Sequence, residues 1–362
     1  MKRSRRMVVI ILTAALLLTI VFLLKDRNST PEIPLDTPHE QFIWKEMLNQ
    51  NLLLKTTLQS HSSDYSLSET IGLWMEYAVL TDNYPLFEIA YQQLDQYFVT
   101  SQGFIHWRIK ENGQTTEQVN AFMDDIRIIH ALLGAEEHWN KSKYNKMARK
   151  ITKALVIQGT YKQMFVDFYD WEHDRKSPSI SVQYLDIQTI RRLYALGWID
   201  QNILNQVEQV AIEASHQSSP LYPTRYHIDT NQFIQEDTVN LIEQMYTAYH
   251  FAKAGIQTDR FLAFLTQELA EHDKLYGQYD TDDLTPVVGY ESPALYGLAI
   301  LYTLSIEEYD MALQFYNKLQ ALQTKAGSFK GAYLDSSTSD THIFDNLVPL
   351  IAERRLMEIE MD

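Results

Sequence analysis

Carboxylates recur where apolar helical patterns begin. Ser68-Glu69, Asp124-Asp125, Tyr184 with Asp186, Glu236-Asp237, Tyr290-Glu291 and Asp340 each stand at the head of such a pattern. One acid in that position needs no chemistry, because unpaired N–H groups and the helix dipole favour negative charge there. Ser66-Leu67-Ser68-Glu69 even has the S-x-x-E spacing of a capping box. Two separated carboxylates facing one cleft are a different matter: one, protonated, can protonate a leaving oxygen while the other activates water or attacks, which is what cleaving a glycosidic bond requires. Sugar rings are also held by stacking on aromatic faces, and this chain has 6 Trp and 22 Tyr. Trp74, Trp107 and Trp171 lie on or near the acid-bearing segments, although each also suits a packed core.

Other chemistries find little support. The sequence has no cysteine, hence no disulfide, thiolate metal site, cysteine nucleophile or cysteine-linked lipid. Its eleven histidines form no H-x-x-x-H pair and no H-E-x-x-H motif. Asp280-Thr281-Asp282-Asp283 lacks the spacing and glycine of an EF-hand and reads as a solvated acidic loop. With no G-x-S-x-G, Walker or dinucleotide motif either, neither a cofactor nor a metal is expected. The net charge of −16 is uneven: residues 1–27 hold six of the 31 basic and one of the 47 acidic residues, leaving −21 on the remainder. A body this acidic repels phosphate backbones and anionic polymers, so nucleic acid is not an expected partner, whereas neutral or cationic polymers are.

The elements that would position these acids are helices. From residue 39 onward apolar residues recur at spacings of three and four. Cap and breaker signals divide them into twelve helices, at 39–55, 67–81, 84–100, 118–136, 140–158, 185–197, 201–217, 236–254, 257–272, 291–304, 306–324 and 340–358. Connections after even-numbered helices are short and most of those after odd-numbered helices are long. This rhythm predicts an all-α (α/α)6 barrel of six hairpins, with the long loops on the face where the inner helices begin. No short repeat is visible, which disfavours a tetratricopeptide-type solenoid, while an irregular helical solenoid stays open.

The amino-terminal segment reads separately. Residues 1–6 form a basic stub, 7–24 an uncharged apolar run, and 25–38 a polar, proline-bearing stalk, with the barrel domain assigned to 39–362. Eighteen residues at about 1.5 Å each just span a hydrocarbon core of roughly 30 Å. The run ends in charges without a small-residue cleavage site, so an uncleaved single-pass signal anchor is preferred over a removed signal peptide, in which case the protein is secreted. Four basic residues before the run and two after it put the acidic body outside the cell.

Several stretches resemble glycoside hydrolase family 8. Ser68-Glu69-Thr70-Ile71-Gly72-Leu73-Trp74-Met75, followed by Asp82-Asn83-Tyr84-Pro85-Leu86-Phe87, is similar to that family's S-E-G-x-G-Y-G-M and D-x-x-L-F stretches. Gly103-Phe104-Ile105-His106-Trp107-Arg108 resembles its segment with a sugar-stacking tryptophan. Ala121-Phe122-Met123-Asp124-Asp125 through Trp139 resembles its A-[ST]-D-[AG]-D signature, and Ser181-Val182-Gln183-Tyr184 its stretch with a tyrosine near the attacking water. Glu236-Asp237-Thr238-Val239-Asn240 resembles its Y-D-A-x-R segment. The resemblance spans roughly residues 60 to 350.

It implies an (α/α)6 barrel and inverting hydrolysis of a polysaccharide, with Glu69 as general acid and Asp237 as base. Tyr184 would place the water, Asp124 or Asp125 would bind sugar hydroxyls, and Trp107 and Trp74 would contact the substrate. Met123 departs from the signature's first aspartate, Glu236 from the tyrosine and Asn240 from the arginine, so a divergent member is implied. The reading is thus a monomeric, membrane-anchored, extracytoplasmic, endo-acting glycosidase acting on an exopolysaccharide, with the exopolysaccharide synthesis machinery as a further expected partner. A non-catalytic polysaccharide-binding or assembly protein on the same scaffold is the alternative.

Overall fold

The computed structural model describes residues 33–59, 65–115, 117–335 and 337–361. Chain contacts divide the molecule at Pro34/Leu35, and the account that follows concerns the unit from Leu35 onward. The expected stub at 1–6, the apolar run at 7–24 and most of the stalk lie outside the described residues. Among those described, no helix is long and apolar enough to cross a membrane.

Twelve α-helices are present among the described residues: α1 Pro38–Glu46, α2 Ser68–Leu80, α3 Tyr84–Gln93, α4 Phe122–Trp139, α5 Ser142–Gln158, α6 Ile187–Ala195, α7 Gln201–Ser215, α8 Leu241–Lys253, α9 Asp259–His272, α10 Pro293–Ser305, α11 Tyr309–Leu322 and α12 Phe344–Met361. The even-numbered helices form a closed ring, each packed on the next from α2 through α4, α6, α8, α10 and α12 back to α2. Odd-numbered helices lie outside: α3 packs on α2, α5 on α4, α7 on α6, α11 on α10 and α1 on α12. This is the (α/α)6 barrel that the alternating loop lengths predict.

Composition explains which helices face inward. α10 reads PALYGLAILYTLS, and the ten residues from Ala294 to Thr303 are all buried, as a helix enclosed on every side requires. α7 reads QNILNQVEQVAIEAS and buries one stripe, Ile203, Leu204, Val207, Val210, Ala211 and Ala214. α10 and α12 touch backbone to backbone. A Cβ added to Gly297 would lie 3.0 Å from the Pro349 nitrogen and 3.1 Å from its Cα.

The first helix is shorter than the apolar spacing indicates, ending at Glu46 rather than at 55. Asn49 is responsible: its side-chain oxygen accepts the N–H groups of Asn51 and Leu53, offering the backbone a turn in place of a helix. Leu52 then takes φ +60°, and Leu53 and Leu54 fold back into the core. Helices α4, α8 and α12 begin four or five residues later than predicted, because the preceding residues form rim structure. Asp340 thus precedes α12 without starting it, and accepts the N–H groups of Gln59 and Thr341.

The rim carries eleven short strands among the described residues, which the helical pattern does not foretell. Those that matter to the site are β1 Tyr65–Leu67 and β2 Arg108–Lys110, paired antiparallel; β7 Ser179–Ser181, β8 Arg225–His227 and β9 Gln232–Ile234 in one sheet; and β10 Thr238–Asn240 with β11 Gln278–Asp280. Strands of two or three residues are too short to show a period.

Gly297→Val tests the backbone contact between α10 and α12. With no room for the side chain, unfolding free energy should fall by about 1–3 kcal/mol, read from urea denaturation at pH 7. An unchanged midpoint and slope would show that the two helices can separate at no cost.

Candidate active site

Glu69 is the second residue of α2, and the strand ahead of it fixes its position. Leu67 pairs with Arg108 across β1 and β2, and the next N–H, that of Ser68, donates to the Trp107 carbonyl at 2.9 Å. The helix begins at Ser68 with Leu67 at its N-cap and without a side-chain capping bond, while Ser66 lies buried in β1 with no hydrogen-bond partner for its hydroxyl. The capping-box interpretation of Ser66 and Glu69 therefore fails, and Glu69 is free of that duty.

Its carboxylate faces a buried pair on α4 instead. The Ser68 hydroxyl donates to Asp124 Oδ2 at 2.6 Å, joining the first turns of the two neighbouring inner helices. Arg127, one turn further along α4, brings Nη1 to 3.5 Å from Asp124 Oδ1 and 3.9 Å from Glu69 Oε1. Its Nη2 donates to the Tyr246 hydroxyl of α8 at 3.2 Å. Gly72 makes room for the arginine's stem, since a Cβ there would sit 3.1 Å from Arg127 Cδ.

Burial, reinforced by the charge of Asp124, pushes the Glu69 carboxyl up to about 7 against the opposing pull of Arg127. Burial also raises Asp124, while Arg127 and the Ser68 hydroxyl oppose the rise. About a quarter of the Glu69 side chain remains exposed. A carboxyl that keeps its proton near neutrality while still reachable is suited to be a general acid.

Trp107 lies half-buried beside this group. Its indole N–H donates to Glu117 Oε2 at 2.7 Å, and the Arg108 guanidinium sits 4.6 Å from its ring and 4.9 Å from that of Tyr65. Trp171 stacks on Phe104 with centroids 5.1 Å apart. Trp74 is different: it is 1% exposed and stacks on Tyr77 inside the barrel wall. As residue five positions beyond Glu69 it points to another side of α2. The expectation that Trp74 contacts substrate is corrected accordingly.

Asp125 is also corrected. It is 1% exposed and accepts the Asn120 amide at 2.6 Å, leaving Oδ1 with no hydrogen-bond partner. Burial holds its carboxyl well above the ordinary range. It is a core group, and of the two adjacent aspartates Asp124 is the one that borders Glu69.

Across the mouth, Tyr184 ends a short 3-10 turn, Val182–Tyr184. Burial and the charges of Asp167, Asp124, Glu243 and Glu69 raise its phenol. Tyr184 thus links the acid pair to two carboxylates absent from the sequence-based site. Asp167 Oδ1 accepts the Ser181 N–H at 2.6 Å, and its own carbonyl accepts the N–H of Phe122, the first residue of α4. Burial raises Asp167 to about 6 against those bonds and Arg225. Glu243, in the first turn of α8, is raised by burial. A lone charge in an otherwise apolar run marks both Asp167, in Met164-Phe165-Val166-Asp167-Phe168, and Arg127, in Ile126-Arg127-Ile128-Ile129, and was the available signal.

Asp237 lies on the segment between β9 and β10, with an exposed side chain. Its carbonyl accepts the Thr281 N–H at 3.0 Å. It is not among the charges that shift Glu69. Next to it Glu236 pairs with Arg225 at 2.5 Å, and Asn240 caps α8 by accepting the Ile242 N–H at 2.9 Å. Asparagine suits that capping position, whereas the arginine of the family pattern does not. The acidic loop at Asp280 closes on itself, since Asp280 Oδ1 accepts the N–H groups of Asp282 and Asp283. Among the described residues no group of three or more His, Cys, Asp or Glu is placed to hold a metal ion.

With this geometry in place, similarity to known proteins can be weighed. No family model matches the sequence. The "Putative lipoprotein YdaJ" of Bacillus subtilis (strain 168) is 32% identical over 322 residues, covering 88% of this chain and 86% of the relative. The chain belongs to the YdaJ family. Among solved structures, a novel α-amylase from Clostridium perfringens superposes with a TM-score of 0.81 at 23% identity, over 89% of this chain and 99% of that one. The endoglucanase of glycosyl hydrolase family 8 from Klebsiella pneumoniae gives 0.62 at 14% identity, over 89% and 100%. The fold is therefore that of family 8.

The raised carboxyl of Asp125 has a stability signature. A folded-state pKa above the unfolded value means that stability from this group is complete below the unfolded value and is lost as pH rises towards the folded one. Asp125→Asn, which keeps an acceptor for Asn120, should flatten that loss and raise Tm relative to wild type at pH 8 more than at pH 4. Parallel Tm curves from pH 4 to 8 would show that Asp125 does not titrate in this way.

Proposed function

We propose that this chain is a glycoside hydrolase acting on a polysaccharide, with Glu69 as its general acid. The observation that carries the reading is the Glu69 carboxyl itself: raised to about 7, a quarter exposed, and flanked by the Asp124–Arg127 pair. The names of the structural relatives, an α-amylase and a family 8 endoglucanase, support the same class. They also differ in the glucan they act on, so the sugar is not carried over from either.

In the proposed reaction Glu69 gives its proton to the glycosidic oxygen as the bond from the anomeric carbon breaks. A water attacks that carbon from the opposite face and loses a proton to a second carboxylate, which inverts the configuration. Inversion calls for carboxyls roughly 6.5 to 9.5 Å apart. Asp237 is the proposed base because it occupies the corresponding segment of the family pattern and is open to solvent on the rim. Tyr184 is proposed to steer the water, and Asp124 to hold sugar hydroxyls at the cleavage point. Asn240, which caps α8 where the family pattern has an arginine beside the base, favours a second reading, a binding or assembly protein that has kept the groove without turnover.

Membrane attachment belongs to the same proposal. YdaJ is named as a lipoprotein, whereas the present sequence has no cysteine to carry a lipid and offers the apolar run 7–24 instead. The proposed arrangement is an anchored monomer with its barrel outside the cell, beside the machinery that exports an exopolysaccharide.

Digestion of a polysaccharide panel by the detergent-solubilised full chain, including the polymer secreted by its own host, should release reducing ends from at least one polymer. Glu69→Gln should lower that rate by about 10²–10⁴-fold while leaving polymer binding unchanged. Wild-type protein that binds a polymer yet releases nothing from any of them would replace this reading with the binding one.

A further inference from the structure

We propose that Arg127 is a positioning residue which, with Asp124 as its counter-charge, keeps Glu69 the proton-carrying member of the carboxyl pair. The proposal rests on the reading of Glu69 as the acid and says how this chain holds it ready. A single guanidinium nitrogen, Arg127 Nη1, lies 3.5 Å from Asp124 and 3.9 Å from Glu69, and makes no hydrogen bond to either. It therefore acts on both carboxylates as a charge, at nearly equal range. What distinguishes the two acids is their remaining partners. Asp124 accepts a 2.6 Å bond from the Ser68 hydroxyl and lies closer to the cation, so the negative charge settles there. One buried cation is then balanced by one buried anion, and Glu69 keeps its proton as the neutral third member.

The arginine is held to this task from several sides. Tyr246 accepts from Nη2 and lies under the guanidinium, with its ring centroid 5.5 Å from Cζ. Gly72 on α2 leaves the gap through which the stem passes. The charges and titratable groups facing the cluster are Glu69 and Glu76 from α2, Asp124 from α4 and Tyr184 from the 3-10 turn, and, across the cavity on the inner side of Arg127, His130 from α4, Asp186 ahead of α6, and Tyr246, Tyr249, His250 and Lys253 from α8. α10 and α12 line that cavity with apolar groups, Leu298, Leu301, Val348 and Ile351. Glu76 lies on the inner side of Arg127, away from the mouth, and its charge also favours the guanidinium. Removing Asp124's charge would nevertheless leave Glu69 the nearest carboxylate to the cation.

The arrangement makes two substitutions act in opposite directions. Without the cation, Glu69 must ionise beside an ionised Asp124 with nothing to offset the repulsion, and its titration should move up. Without the Asp124 charge, the full pull of Arg127 falls on Glu69, and its titration should move down. A residue that only fills space would shift neither, or both alike.

Carboxyl ¹³C titration of the detergent-solubilised full chain, with the Glu69 signal assigned by its loss in Glu69→Gln, reads this directly and needs no substrate. Arg127→Met should raise the Glu69 midpoint by at least one pH unit, and Asp124→Asn should lower it by at least one. Where a polymer is cleaved, the alkaline limb of the pH–rate profile should move in the same two directions. Should Arg127→Met not fold, Arg127→Lys, which keeps the charge, should hold the midpoint within half a unit of wild type while Asp124→Asn still lowers it. Midpoints that stay fixed or move together would overturn the proposal. Opposed midpoints in a protein that cleaves no polymer would leave it standing and remove the hydrolase reading instead.

Discussion

Six inner helices closed in a ring all begin at one end, and that constraint governs the rest of the molecule. Each contributes unpaired N–H groups and a positive dipole end to the same face. Side chains near these termini, and the loops between them, become neighbours although they are far apart in sequence. The Ser68–Asp124 hydrogen bond is the most direct expression of this, tying the first turns of α2 and α4. Asp167 extends it, since its carbonyl meets the first N–H of α4 while its carboxylate meets β7. The rim strands hold the loops that deliver these groups.

Burial and charge divide the work at that face. Asp125 is withdrawn into the core with its carboxyl raised by burial, Asp124 keeps a cation and a hydroxyl, and Glu69, raised to about 7, keeps a path to solvent. Three acids within one turn of two helices thus take three roles, decided by what each one touches. The departures from the family pattern acquire local reasons as well. Asn240 caps α8 where an arginine would be expected, and Arg225 reaches the same neighbourhood from β8 to pair with Glu236.

Much of this was legible in the residues. Apolar spacing and cap signals foretell the twelve helices, and the loop lengths foretell the ring, because a hairpin of helices leaves a short connection on one side and a long one on the other. Glu69, Asp124 and Tyr184, which the motifs single out, come within electrostatic reach of one another. The capping box did not form, because Ser66 was claimed by β1, whose three residues carry no period to read. Trp74 and Asp125 were misplaced for a shared reason: a motif gives the type of a residue but not the side of the helix it faces. Arg127 and Asp167 went unnoticed because no motif contains them, and only their polarity within apolar runs marked them.

The ring has a seam. α2 packs against α4, the next inner helix in the chain, and against α12, which comes from the far end of the domain. α1 also packs on α12, with His39 meeting Glu353 at 3.1 Å. Such distant pairings must close nearly the whole length of the domain, a cost in chain entropy that contacts between neighbours in the sequence do not carry. A ribosome that has delivered α2 through α10 has made an open arc with one wall of the acid's helix still facing water. Synthesis of α12 closes the ring and covers that wall.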